Sequence, residues 1–283
     1  MIRLLPFVVA LWFGALSSAS AHDVLAALKT SGVIRMGYLE DAPPFSSRGA
    51  SGAPEGFSVE LCARVAAAIG REIKRPDLRV EWIPLTLADR FEAVAKGRVE
   101  IECSASTWTF SRQRSVEFSL MTFVDGGTIL IRNDSDFSRM KDLAGKRVAV
   151  VRNTTTQRSL ADALQLREIK AGVLLFDNPE AALEALRGGA VDGYASDRVK
   201  LLAMALGVQG AGAFRLLDED FSMEPYALAM HAGDPGFRIA VNRALAAIYR
   251  SGDIAVIYEH WLAPLGKPSL LLDALYYLQR IPE

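Results

Sequence analysis

The sequence predicts an α/β protein with two similar lobes, each a mainly parallel sheet with flanking helices, joined by a hinge of two strands. Three observations lead to this prediction. Extended apolar runs alternate with amphipathic helical segments between residues 23 and 103, which is typical of a parallel sheet covered by helices. The alternation restarts between residues 142 and 197, and a further extended run follows each of the two sets.

The first set contains three predicted strands. Apolar residues recur at helical spacing after Phe57, while Gly32, Gly70 and Gly97 mark the ends of helical segments. A stretch rich in Gly and Ser favours a hairpin. In chain order we predict a helix at 23–29, a strand at 33–38, the hairpin at 46–56, a helix at 57–70, a strand at 78–84, a helix at 86–96 and a strand at 98–103.

The second set resembles the first residue by residue. Residues 92–100 match residues 184–192, with a Gly after the helix and a Val at the start of the next buried strand. Chance similarity between two generic helix–strand units is the alternative to a true repeat. The predicted elements are a strand with its lead-in at 142–151, a helix at 154–164, a strand at 172–176, a helix at 178–187 and a closing strand at 189–197.

Two extended apolar runs, at 126–132 and 224–230, are expected to pass between the lobes as the hinge. Helices predicted at 237–251 and 253–261 would return to the first lobe, and a helical stretch at 270–278 would pack on it. The predicted organisation is a signal peptide at 1–21, the first part of lobe 1 at 22–130, lobe 2 at 131–226, and the return to lobe 1 with the C-terminal tail at 227–283.

The predicted signal peptide has a positive Arg3, an almost wholly apolar run at 4–16 and the small-x-small pattern at 19–21. The run is shorter than the roughly 18 residues that a membrane span needs. A retained anchor is the alternative. No cysteine follows the run closely, which argues against a lipoprotein. We therefore expect an exported, periplasmic protein that starts near His22.

Composition favours a small-molecule ligand. Hydrophobic residues make up 51% of the chain, and 32 basic residues nearly balance 33 acidic ones without a basic stripe. That balance argues against nucleic acid or anionic membranes as partners. The scattered histidines indicate no metal site, and no cofactor is expected. Cys62 and Cys103 form one disulfide in an oxidising compartment or remain as two buried free thiols.

Three predicted strand ends carry residues suited to an amino acid. In open parallel sheets, ligands bind beyond the carboxyl ends of the strands. Arg112 follows the strand at 98–103 after a hydroxyl-rich stretch that contains Thr107, and Thr154 and Thr155 open a helix after the strand at 142–151. Facing lobes would place Arg112 and the threonine amides around a carboxylate. Asp197, at the end of the last strand, would accept an ammonium group.

Each of these residues has a structural alternative. Asp197 would serve equally as the N-cap of a helical segment at 198–206, and the threonines at 154–156 as an N-cap cluster alone. For Arg90 and Phe45, packing within the first lobe and contact with a ligand are both open. Trp108 has no role that the sequence explains.

Four blocks of the chain resemble the bacterial periplasmic amino-acid-binding proteins of polar amino acid ABC transporters, solute-binding protein family 3. The resemblance extends in order over essentially all of the mature chain. The runs that end in Cys62 and begin at Ile101 are similar to the glutamate/aspartate-binding subgroup in particular. The four blocks are Gly37-Tyr38 with Pro43-Pro44-Phe45, residues 56–61, Thr107 and Arg112 with residues 116–119, and residues 143–148.

The resemblance implies a two-lobed periplasmic-binding-protein fold whose cleft closes on an amino acid, and an ABC permease in the inner membrane as the partner. Arg112, with Thr107 and Thr155, would hold the ligand carboxylate. Asp197 would meet the amino group, and Ala105 would offer a backbone contact.

Arg90 matches an arginine that reads the ligand side chain in the acidic-ligand subgroup. The chain departs from that subgroup at Leu39-Glu40, at residues 104–108 and at Asn153. These departures leave the amino-acid clamp intact but do not support a preference for acidic side chains.

The sequence therefore predicts a monomeric periplasmic receptor that binds a polar amino acid or a related solute and performs no chemistry. The rival is a periplasmic enzyme on the same scaffold, similar to cyclohexadienyl dehydratase. Such an enzyme needs a general acid, for which Glu40, Asp177 and Glu224 are the candidates. A third hypothesis, the ligand-sensing domain of a receptor, has no signalling segment in the sequence to support it.

Overall fold

The computed structural model describes residues 23–207 and 212–282, so the predicted signal peptide lies outside the described residues. In the described part of the chain, no helix is long and apolar enough to span a membrane. The helices there are α1 Val24–Ser31, α2 Phe57–Glu72, α3 Arg90–Ala95, α4 Thr155–Leu166, α5 Pro179–Arg187, α6 Arg198–Gly207, α7 Pro235–Ser251, α8 Asp253–Leu262 and α9 Leu270–Leu278. The strands are β1 Val33–Leu39, β2 Asp41–Ala42, β3 Ser46–Arg48, β4 Pro54–Glu55, β5 Arg79–Leu85, β6 Ile101–Glu102, β7 Val116–Arg132, β8 Arg147–Val151, β9 Gly172–Phe176, β10 Gly193–Asp197, β11 Phe214–Leu216 and β12 Ser222–His231.

One sheet runs through both lobes in the order β5-β1-β6-β12-β7-β10-β8-β9, with β11 paired to β7. The outer three strands at each end are parallel to one another. Between these two parallel groups lie β7 and β12, which are antiparallel to each other from Val116 opposite His231 to Gly127 opposite Ser222. The structure thus has the predicted α/β, two-lobed architecture, with β7 and β12 as the two strands between the lobes.

The internal repeat reflects equivalent strands in the two lobes. The outer, central and inner parallel strands are β5, β1 and β6 in one lobe and β9, β8 and β10 in the other. Gly97 follows α3 with φ of 65°, and Gly189 follows α5 with φ of 72°. Both glycines take the left-handed conformation that ends a helix, in which a side chain would be strained. Val99 and Val191, two residues further on, are both fully buried.

Each lobe has its own apolar core. In the first lobe, Leu61 and Ile69 of α2 pack with Val241 and Leu245 of α7, so the returning C-terminal helices complete a core begun near the N-terminus. In the second lobe, a separate cluster joins β7, β8 and α4. The predicted boundaries at residues 130 and 226 fall inside β7 and β12, which run through both lobes. The exact division of the chain at 22–130, 131–226 and 227–283 stays a prediction.

Cys62 and Cys103 form the predicted disulfide rather than two free thiols. Cys62 lies in α2, and Cys103 immediately follows β6. The bond therefore attaches the segment after β6, which carries Thr107, to the longest helix of the first part of the chain.

Several predicted boundaries differ from the structure. Strand β7 begins at Val116, ten residues before the predicted start at 126, because its first half pairs with β12 over residues that alternate too irregularly to mark a strand. Helix α3 begins at Arg90 rather than at residue 86. The backbone N–H and the hydroxyl of Thr86 both donate to Asp89, which holds these residues in a turn instead.

Candidate functional site

A cavity of about 60 Å³ lies between the two lobes, at the carboxyl ends of the parallel strands. Since one water needs about 10–15 Å³ of such space, the cavity has room for about four to six waters. Of the residues predicted to bind a ligand, those that line the cavity are Arg90, Ala105, Thr107, Arg112, Thr154, Thr155 and Asp197.

Phe45, the remaining predicted residue, does not line the cavity. Its side chain is fully buried. It packs edge-to-face against Phe57, Phe123 and Tyr226, with ring centroids 5.1 to 5.9 Å apart. Of the two alternatives that the sequence left open for Phe45, the structure shows packing within the first lobe.

Arg112 lines the cavity, and its guanidinium group makes few contacts with the described residues. Its Nη1 donates to the carbonyl of Thr107 at 2.7 Å, and its Cζ lies 4.7 Å from the ring centre of Phe91. Among the described residues, no carboxylate lies within ion-pair distance of it. Burial, together with the charge of Arg90, lowers the pKa of Arg112 to about 10, so the side chain is still a cation at neutral pH.

A short helical turn carries Arg112. The backbone N–H of Arg112 donates to the hydroxyl of Thr109 at 3.2 Å, so this amide already has a partner. The turn spans only Arg112–Arg114. Its contribution to the cavity is therefore the Arg112 side chain rather than a row of free amides.

Arg90 is a second buried cation beside Arg112. It is only 5% exposed, its Cζ lies 4.4 Å from the Phe91 ring centre, and its Nε donates to Ser106 at 3.2 Å. Burial lowers the pKa of Arg90, whereas the charge of the buried Glu102 opposes that change. Both guanidinium groups lie over the ring of Phe91, and neither is paired with a carboxylate among the described residues. This side of the cavity is therefore suited to bind an anion.

A direct bridge joins the two lobes at the edge of the cavity. The hydroxyls of Thr107 and Thr155 lie 3.2 Å apart, and both donate to Oε2 of Glu224, at 2.7 and 2.9 Å. Ser222 donates to the other Glu224 oxygen at 2.8 Å. Because Glu224 lies on β12, this network ties both walls of the cavity to the strands that connect the lobes.

Thr154 is the N-cap of α4, as the structural alternative proposed, and accepts from the N–H of Gln157 at 3.1 Å. It also lines the cavity. The amides of Thr155 and Thr156 belong to the first turn, where position alone leaves them without an intrahelical partner. The start of α4 is therefore both capped and able to offer N–H groups to an anion.

Asp197 supplies a buried carboxylate to the same cavity. It accepts from the Tyr226 hydroxyl at 2.6 Å and from Thr156 at 3.2 Å, and its Oδ2 lies 2.7 Å from the Lys200 ammonium. Burial favours its neutral form, but these three partners outweigh burial and hold the pKa of Asp197 below its ordinary value. It is not the cap of α6, since the N–H of Val199 donates to Asp125 instead.

Sequence reasoning missed five polar residues that line the cavity, namely Asp41, Thr156, Tyr194, Ser196 and Lys200. Lys200 follows Asp197 by three residues on α6, and Tyr194 lies on β10 with its hydroxyl fully buried. The helical spacing between positions 197 and 200 was the available signal for Lys200. For Tyr194 no sequence signal existed, because strand alternation does not reveal which face borders the other lobe.

Trp108 has a structural role outside the cavity. Its indole N–H donates to the side-chain oxygen of Gln113 at 3.0 Å, and its backbone N–H donates to Pro225 at 2.7 Å. Trp108 therefore contacts the turn that carries Arg112 through its side chain and β12 through its backbone.

The candidate general acids of the enzyme hypothesis are not arranged for that role. Glu40 is exposed and paired with Arg48, and Asp177 is exposed and paired with Arg152. Glu224 is buried, but its two oxygens already accept three hydroxyl hydrogen bonds, from Thr107, Thr155 and Ser222.

This fold and this cleft define a two-lobed protein that binds a small charged solute between its lobes. The chain belongs to the bacterial extracellular solute-binding proteins, family 3, whose family model matches residues 34–264. It is 28% identical over 242 residues to the putative amino-acid ABC transporter-binding protein YhdW of Escherichia coli strain K12, covering 85% of this chain and 70% of that protein. It is 27% identical over 251 residues to the L-glutamate/L-aspartate-binding protein of Pseudomonas aeruginosa, covering 88% and 83%.

Solved structures with the same fold include an ancestral arginine-binding protein bound to glutamine, with a TM-score of 0.72, 28% identity, and coverage of 82% of this chain and 98% of that one. Another is the ancestral amino acid-binding protein AncCDT-1, described as a precursor of cyclohexadienyl dehydratase. It has a TM-score of 0.72, 26% identity, and coverage of 84% and 98%.

Proposed function

We propose that this protein is the solute-binding component of an ABC transporter and captures a polar α-amino acid in the cleft between its lobes. The observation that carries the proposal is the charge pattern of the cavity. Arg112 and Arg90 supply cations that pair with no carboxylate of the described residues, and the buried carboxylate of Asp197 lies in the same cavity. A zwitterion with both a carboxylate and an ammonium group complements this pattern.

The carboxylate of the ligand would bind Arg112, with the Thr155 and Thr156 amides at the start of α4. The ammonium would approach Asp197, and the side chain would extend toward Tyr194 or Arg90. The relatives support the amino-acid class, since their names refer to amino acids, glutamate and aspartate among them. The ligand would then be delivered to a permease in the inner membrane by a monomeric periplasmic protein, after cleavage of residues 1–21.

Arg112→Ala tests the clamp. The variant should bind its amino acid roughly 10- to 150-fold more weakly, because it loses charge-assisted hydrogen bonds worth about 1.5–3 kcal/mol. Isothermal titration of the mature protein against the standard L-amino acids measures this loss. Arg114→Ala is the matched control, since Arg114 lies on the same helix turn but is exposed. Equal affinity in the two variants would contradict the role of Arg112.

We further propose that the protein binds without catalysing a reaction. The similarity to a dehydratase precursor is the reason to test this directly. Prephenate or arogenate incubated with the mature protein should be recovered unchanged. Formation of phenylpyruvate or phenylalanine above the background rate would favour the enzyme instead. A ligand retained through purification, identified by mass spectrometry, would name the solute.

A further inference from the structure

The ammonium group of Lys200 lies where the amino group of a ligand would have to bind. Its Nζ is 2.7 Å from Oδ2 of Asp197, and its side chain is 18% exposed. It lines the same cavity as Arg112. The cavity therefore already contains a cation, Lys200, beside the carboxylate of Asp197. The proposed function assigns that same carboxylate to the ammonium group of the ligand.

Asp197 has little capacity for a second cation. A carboxylate has about four lone-pair sites. Tyr226, Thr156 and Lys200 use three of them in the structure. A ligand ammonium at the fourth would lie beside the Lys200 charge, and like charges at such short range repel each other. Lys200 and a ligand ammonium are therefore competitors for one carboxylate.

The fixed and movable partners of Asp197 differ in kind. Tyr226 is almost fully buried in the first-lobe core, and Thr156 is held in the first turn of α4. Lys200 is a long, flexible side chain on α6, and its Nζ lies 5.6 Å from the centre of the Tyr226 ring. Of the three partners, Lys200 is the one that can leave without disturbing the backbone.

We propose that Lys200 is an internal competitor that neutralises Asp197 and is displaced by the amino group of the ligand. This inference rests on the proposed function. The ligand exchanges one cation on Asp197 for another, so its amino group adds little to affinity. Recognition then depends mainly on the carboxylate and the side chain. Lys200 determines specificity by setting how strongly an α-amino acid is preferred over the same acid without its amino group.

The test compares amine-bearing and amine-free probes on two lysine variants. The probes are L-glutamate, L-glutamine, L-aspartate and L-asparagine, each paired with its des-amino analogue glutarate, glutaramate, succinate or succinamate. Lys200→Met removes the competitor, and Lys200→Gln removes its charge but keeps a donor. Lys146→Met is the matched control, because Lys146 also lies over an aromatic ring and near a carboxylate, outside the cavity.

Both Lys200 variants should bind the amino acid about 10-fold more tightly than the natural protein does, which corresponds to 1.4 kcal/mol. The des-amino analogue should bind no more tightly, so preference for the amine should rise by about the same factor. Lys146→Met should change neither. Ligand-induced shifts of the melting temperature give the same comparison if removal of Lys200 lowers the stability of the fold.

Weaker binding of the amino acid by both Lys200 variants would overturn the inference, because Lys200 would then be a direct ligand contact. Equal changes for the amine and its analogue would overturn it too, since the effect would not depend on the ammonium. If none of the amino acids binds the natural protein or either variant, the proposed function itself fails and the inference with it.

Discussion

Tyr194 is fully buried and borders the cavity, and its hydroxyl, which lies near Ser196, makes no hydrogen bond of good geometry among the described residues. Burial raises the pKa of this hydroxyl above its ordinary value, so it stays protonated and can donate. A buried hydroxyl without a partner costs about 1–3 kcal/mol. We interpret this residue as one whose hydrogen bond is completed by the ligand side chain.

Tyr194→Phe should weaken amino-acid binding about 10-fold, because the lost hydrogen bond is worth about 1 kcal/mol or somewhat more. The stability of the protein alone should stay equal or rise, since no intramolecular hydrogen bond of good geometry to a described residue is removed. Isothermal titration and urea unfolding measure the two quantities.

Tyr249→Phe is the matched control for that experiment. Tyr249 is equally buried, but its hydroxyl donates to the carbonyl of Met121 at 2.9 Å. This variant should lose about 1 kcal/mol of stability and keep its affinity. Loss of stability without loss of affinity in Tyr194→Phe would show that the Tyr194 hydroxyl does not contact the ligand.

At the scale of elements, the segment after β6 is attached to helix α2 at two points. The disulfide joins Cys103 to Cys62 of α2, and the hydroxyl of Ser58 on the same helix donates to the carbonyl of Ser104 at 3.0 Å. The backbone that leads to Thr107 is therefore attached to a rigid helix by one covalent bond and one hydrogen bond. We expect the disulfide to contribute mainly to the stability of the fold, and the Ser58 hydrogen bond to keep the segment in place at the cavity when the disulfide is absent.

The double variant Cys62→Ala/Cys103→Ala should be less stable by about 4 kcal/mol, the loop-closure value for cysteines 41 residues apart. Its affinity for the amino acid should change less than threefold under folding conditions, because the Ser58 bond remains. Urea unfolding and calorimetric titration test the two statements. A large loss of affinity in a folded double variant would show that the disulfide shapes the cavity.

At the scale of the whole molecule, a buried acid on β7 connects this strand between the lobes to the first turn of α6. Asp125 on β7 accepts from the N–H of Val199 at 3.1 Å and from Tyr226 at 3.4 Å. Tyr226 also donates to Asp197, so one hydroxyl contacts both carboxylates. Burial and the charge of Asp197 raise the pKa of Asp125 to about 7, which Lys200 only partly offsets.

This raised pKa predicts a loss of stability with rising pH. Folded Asp125 keeps its proton up to about pH 7, whereas the unfolded chain releases it near pH 4, so the stabilisation is present below pH 4 and disappears between pH 4 and 7. From pH 5 to pH 8 the loss should be about 3 kcal/mol. The lowered pKa of Asp197 acts only at lower pH and does not interfere in this range.

Asp125→Asn should remove most of this dependence, because the amide resembles the protonated acid and does not titrate. Free energies of urea unfolding at pH 5 and pH 8 provide the measurement. An equally steep decline in Asp125→Asn would assign the pH dependence to another group.

Much of the fold was predictable because its signals are local. Helical spacing of apolar residues placed α2 and α7, and the glycines at 97 and 189 marked equivalent helix ends in the two lobes. The full length of β7 was not predictable. Its first half is a strand only because β12 pairs with it, and that partner lies about a hundred residues away in the chain.

For the site, the sequence by itself determined that the arginine after β6, the threonines at the start of α4 and the acid at the end of β10 lie at strand ends. Each follows a strand whose end is marked by neighbouring residues in the sequence. Only the tertiary structure decided which side chains meet. It placed Phe45 in the core, and it brought Lys200, Tyr194 and Glu224 to the cavity or its edge. These contacts between distant residues depend on strand order and on how the two lobes face each other, and neither is encoded in the spacing of neighbouring residues.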